Sequence, residues 1–234
     1  MRIFTLSMLA LVLAACDSSH ADTGVPAYHE AMVRSHMREH YDLFGAIQHL
    51  VIRNDLYDVR TIARSIGAAP EEPGLDRWTS QSALVRARAA ELAAAPGNDE
   101  ACRRTARLAE ACARCHVDAY VVPMFGSPPP LPATGTGVRA LMARHVWASE
   151  RLSEGMIGAM NDSWLAGLEV LANTPAPWSV LDADRAALSR RMQTIAEQTR
   201  AQVAKNDLAA QARSYGEILV TCAACHTGDR TTAK

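Results

Sequence analysis

Hydrophobic positions recur along the chain at helical rather than strand spacing. Val33, Met37, His40, Phe44, Ile47 and Val51 are separated by four, three, four, three and four residues. At 3.6 residues per turn this places them on one seam of a long amphipathic helix. Further along, Val138, Met142, His145, Ser149, Leu152 and Met156 repeat the same intervals. Asn54-Asp55 offers a stop to the first helix and an N-cap to a second, which the pattern carries to about Ile66, ahead of Gly67 and Pro70. A third helix is predicted around Ser82–Ala95, stopped by Pro96-Gly97, and a fourth opens at Asn98-Asp99. The second part of the chain gives approximate helices over 162–172, 181–204 and 207–226. Alternation of period two, the mark of strands, is missing.

Between the two parts, residues 121–135 contain Pro123, Gly126, Pro128, Pro129, Pro130, Pro132 and Gly135. Such a run cannot continue a helix and suits an extended linker. On either side of it the text repeats. Val33-Arg34-Ser35-His36-Met37-Arg38-Glu39-His40 matches Val138-Arg139-Ala140-Leu141-Met142-Ala143-Arg144-His145 at Val, Arg, Met and His. Asn54-Asp55 matches Asn161-Asp162, and Cys112-Ala113-Arg114-Cys115-His116 matches Cys222-Ala223-Ala224-Cys225-His226. Three landmarks in one order argue for a tandem duplication, with domains over 22–120 and 136–230. Short connections favour antiparallel neighbours. The expected fold is therefore all-α: two tandem antiparallel four-helix bundles, each with C-x-x-C-H on its last helix.

Composition adds two constraints. Hydrophobic residues make up 49% of the 234 positions, but aromatic ones only 5%. Large rings normally fill much of a core, so each bundle needs either close alanine packing or a porphyrin. The formal net charge of −1 leaves no basic footprint for a nucleic acid. At the N-terminus, Arg2 precedes an apolar stretch, Ile3 to Leu13, that ends in Leu13-Ala14-Ala15-Cys16. The stretch is too short for a transmembrane helix and reads as a signal peptide over residues 1–16. Small residues before a cysteine resemble the lipobox of bacterial lipoproteins. That resemblance implies lipidation of Cys16 and a chain anchored to a membrane on the periplasmic side.

C-x-x-C-H is the attachment signature of c-type haem. Two thiols on one helical turn each add to a porphyrin vinyl group, and the adjacent histidine becomes the proximal iron ligand. The thioether residues would be Cys112, Cys115, Cys222 and Cys225, and the proximal ligands His116 and His226. Three other uses of paired cysteines fit less well. One Cys₄ zinc site would leave both histidines as coincidences. A redox dithiol lacks the surrounding βαβ pattern, and plain disulfides leave the histidines unexplained.

Only eight residues follow His226, so a sixth ligand for the second haem must come from upstream. A motif on the last helix with a candidate ligand on the first resembles the cytochrome c-prime family and its low-spin relatives with a first-helix methionine ligand. The likeness covers each half over about 100 residues. It implies a first-helix residue facing the iron, with an arginine shortly before it: Arg34 and Arg139 are candidate propionate partners. His40 and His145 are favoured as distal ligands, because neutral imidazole binds both ferric and ferrous iron well. Met37 and Met142, one turn earlier on the same seam, are the alternative. His20, His29, His36 and His49 have no repeated partner, and surface or supporting roles suffice for them. Cys102 suits a small, partly buried helix site, and Met124 is expected to pack within the linker. Trp147 and Trp164 should pack in or around the second bundle.

The expected function is electron transfer by an exported protein with two covalently bound haem c groups, working with redox partner proteins. It is not expected to be an enzyme. Two rivals are a gas-binding module with open iron and a haem subunit feeding a separate catalytic partner. No acid–base constellation beyond the axial candidates supports a dihaem peroxidase.

Overall fold

The computed structural model describes residues 27–70, 75–135, 137–174, 181–201 and 207–227. These residues form eight α-helices, one short 3₁₀ turn (Asp76–Trp78) and no strand. The first half holds α1 (Ala27–Ile52), α2 (Leu56–Ala68), α3 (Thr79–Ala93) and α4 (Asn98–Asp118). The second holds α5 (Val138–Gly158), α6 (Asn161–Asn173), α7 (Ala183–Arg200) and α8 (Leu208–Thr227). Among the described residues no helix is long and apolar enough to cross a membrane. The signal segment and Cys16 lie outside the described residues.

The helix ends have local causes. Asn54 takes a left-handed conformation (φ 58°), and the Asp55 N–H returns to the Leu50 carbonyl at 2.9 Å, closing α1 as a Schellman-type stop. The Asp55 carboxylate then accepts the Asp58 N–H at 3.3 Å and caps α2. Asp182 and Asp207 cap α7 and α8 in the same way, each accepting the N–H three residues on.

Within each half, successive helices pack as neighbours. The halves are also joined: α4 packs on α8 as extensively as α5 packs on α6, with further contacts of α4 with α5 and of α1 with α8. One hydrophobic cluster runs from Phe44, Ile47 and Val51 through Ala106 and Ala109 to Tyr215, Ile218 and Leu219. The two halves thus share a core and pack side by side. The extended segment after α4 is pinned rather than loose, with the Pro132 and Pro129 carbonyls accepting from Arg144 (2.7 Å) and Trp147 (2.8 Å).

Small residues let the helices approach closely, which is how a chain poor in aromatics fills its interior. A methyl group on Gly167 of α6 would meet the Ala148 carbonyl oxygen of α5 at 2.8 Å. On the facing helix, a methyl on Gly155 would meet the Trp164 backbone at 2.6 Å. Trp164 is buried as expected, and Trp147 half-buried.

The seam of α1 is buried at Phe44, Ile47 and Val51. The matching seam of α5 departs from expectation at its start. Val138 is 41% exposed while Leu141 is buried, so the first turn of α5 turns Leu141 inward rather than Val138. Residues 151–158, at its other end, are buried on every side. Cys102, expected to be partly buried, is fully enclosed. Met124 is 84% exposed rather than packed. The extended chain turns successive side chains to opposite sides, so Phe125 faces Tyr41 (ring centroids 5.0 Å apart) and Met124 faces away.

Candidate haem sites

Helices α1 to α4, the segment after α4 and Ile157 of α5 line a largely apolar cavity. Met37 and His40 face it from α1, and Cys112, Cys115 and His116 from α4. Phe44, Ile66, Leu75, Val85 and Phe125 give it apolar walls, with Trp78 beside them. The sequence separates these residues by more than seventy positions, and the fold brings both candidate distal ligands and the complete C-x-x-C-H to one hollow.

His116 lies near the end of α4, where Tyr120 adopts a left-handed conformation (φ 54°) and the Val121 N–H returns to the His116 carbonyl at 3.0 Å. That stop fixes the backbone beneath the histidine. The Nδ1 of its ring sits 2.8 Å from the Ile157 carbonyl oxygen on α5. A carbonyl can only accept, so Nδ1 carries the proton and the Nε2 lone pair is left to bind a metal. Burial lowers the His116 pKa, opposed by that hydrogen bond.

His40 is pushed down to about 4, by burial first and by the neighbouring His36 second. The two rings lie 4.1 Å apart. In the second half His145 is likewise lowered to about 4, by burial and then by His226 and Arg144. His226 therefore lies within electrostatic reach of His145. Met142, one turn earlier on α5, is half-buried. Both candidate distal histidines are neutral at neutral pH, the state in which imidazole binds iron.

The cysteines bear on the rival readings. Burial pushes the Cys112 and Cys222 thiols up to about 12, with their partners Cys115 and Cys225 adding to the effect. A redox-active dithiol needs the reverse, an electropositive setting that favours thiolate. Among the described residues no group of three or more His, Cys, Asp or Glu side chains is gathered to hold a metal ion, so the four motif cysteines do not meet in one Cys₄ cluster. Uncharged thiols beside an apolar hollow, next to a histidine with one oriented nitrogen, fit a covalently held porphyrin.

Arg34 and Arg139 are both exposed, and neither lines the first cavity. Arg86 of α3 does, with Ser82, which accepts from its guanidinium at 3.2 Å. His36, which aligns with Leu141 and so lacks a repeated partner, also lines it. No sequence signal marks Arg86, because α3 has no counterpart landmark in the repeat. Tyr41 was equally unmarked. It faces the cavity from α1 and interacts with Ser153 and Glu154 of α5.

Compared with known protein families, curated proteins and solved structures, the chain matches none.

Proposed function

We propose that this chain is an exported, lipid-anchored electron-transfer cytochrome with two covalently bound haem c groups, one in each of two tandemly repeated four-helix units. The observation that carries this reading is the cavity shared by Cys112, Cys115, His116, His40 and Met37, built from the two ends of a repeated half. Haem c supplies a one-electron iron couple. The chain's residues do the rest: Cys112 and Cys115, with Cys222 and Cys225, hold the groups by thioether bonds, and His116 and His226 give the proximal nitrogens. His40 and His145 would be the second protein ligand of each group and so exclude exogenous ligands, with Met37 and Met142 as the alternative pair. The apolar walls keep water from the centre, and the buried, uncharged surroundings tune its potential. Arg86, which lines the first cavity where Arg34 does not, is proposed to meet a propionate there, since guanidinium matches carboxylate geometry.

Electron transfer is favoured over gas binding because a neutral imidazole already faces the cavity. The test is haem staining after denaturing electrophoresis of protein made with c-type haem attachment machinery. Cys112→Ala with Cys115→Ala, or Cys222→Ala with Cys225→Ala, should each halve the stain. Zinc bound without porphyrin would contradict the proposal. Cys16→Ala should move the protein from membranes to the soluble periplasmic fraction with its haem retained, and a wild-type protein already soluble would overturn the anchor.

A further inference from the structure

The ends of the helices cross between the halves in a reciprocal way. At the end of α5 the Gly155 carbonyl accepts from both Ala159 and Met160, and Ala159 turns the chain through a left-handed conformation (φ 52°). Ile157 thus lies in the last turn of α5, where carbonyls have no intrahelical donor and the helix dipole places partial negative charge. Its oxygen meets Nδ1 of His116, on the motif helix of the other half, at 2.8 Å. At the end of α1 it is the left-handed stop residue, Asn54, that faces the other motif helix. Asn54 donates to the Ala223 carbonyl at 3.0 Å and to Thr227 Oγ1 at 3.1 Å.

We propose that the main-chain carbonyl of Ile157, held at the negative end of α5, is the positioning group for the first haem's proximal ligand. The second half of the chain then fixes the tautomer, ring orientation and donor strength of a ligand in the first half. This rests on the haem reading above. A carbonyl on Nδ1–H makes the imidazole a stronger donor and stabilises the more positive ferric state, which lowers the potential of the first site. The contact at the second site differs in kind, because Asn54 offers a donor to a backbone carbonyl one turn before His226. The ends of α1 and α5 thus make unlike contacts with the motif helices that face them.

The inference is tested on the purified two-haem protein with ¹⁵N-labelled histidine, the first site's resonances being those retained in Cys222→Ala/Cys225→Ala. The His116 Nδ1–H should exchange slowly with D₂O. Gly155→Ala, whose added methyl meets the Trp164 backbone at 2.6 Å, displaces the end of α5. It should speed that exchange and raise one reduction potential, that of the first haem, with the other unmoved. Rapid exchange of the His116 proton in the unaltered protein would overturn the proposal, and so would equal shifts of both potentials. Should Gly155→Ala fail to fold, the exchange measurement in the unaltered protein decides alone. Protein that folds without covalent haem, read from its mass, would instead overturn the haem reading itself.

Discussion

Arg151 and Glu154 pair at 2.6 Å with each side chain only 7% exposed, one turn apart on the stretch of α5 that is buried on every side. The guanidinium also lies 5.6 Å from the centre of the Trp147 ring, and its Nε is buried with no hydrogen-bond partner. Burial raises the Glu154 pKa against the pull of Arg151, with Glu150 adding to the rise.

Removing one member of such a pair leaves the other charge buried and uncompensated, which costs about 3–5 kcal/mol. Glu154→Ala and Arg151→Ala should each lower unfolding stability by that order in denaturant titrations. Arg151→Met with Glu154→Leu, which removes both charges and keeps the volume, should fall within about 1 kcal/mol of the parent or above it. A single variant as stable as the parent would mean that the pair is hydrated.

The buried pair also marks how far the sequence could be read. The 3.6-residue seam, the Asn54-Asp55 stop and the prolines after α4 are local signals, and the helices lie close to where these signals put them. The candidate proximal and distal residues of the first half were equally legible, because the repeat singled out His40, Met37 and the motif. Arg151, Glu154 and Gly155 were not, since their burial arises from α4 and α6 closing around α5, and long-range packing leaves no periodicity. The Ile157 carbonyl is invisible in principle: every residue has one, and only the fold selects which meets His116. Arg86 reached the cavity without any motif. Arg34, two turns from the cavity-facing His40, is turned outward.

Distal ligation gives a second prediction. Changing His40 or His145 to alanine should convert one haem to high spin and let it bind carbon monoxide when reduced, the other staying low spin. Met37→Leu and Met142→Leu should leave both low spin, because leucine keeps the packing volume. The opposite result would assign the iron to the methionines. Protein high spin at both centres before mutation would favour gas binding.

The pH dependence of the haem-free chain gives a third. His40 and His145 have folded pKa values of about 4, below the unfolded value of about 6.5. Between these values the unfolded chain binds more protons, so stability rises with pH across that window. The apo-chain should be most stable above about pH 6.5 and lose stability as the pH falls towards 4. Urea midpoints at three pH values check this. His40→Leu should reduce the slope, and an unchanged slope in that variant would remove His40 as its source.

The intact mass of the purified, denatured protein, read with its reduced absorption spectrum, tests the central claim most directly. The account predicts the mature chain plus two haems, a c-type spectrum, and loss of one haem from either cysteine-pair variant. A mass equal to the bare chain, or a single haem that persists in both variants, would contradict it.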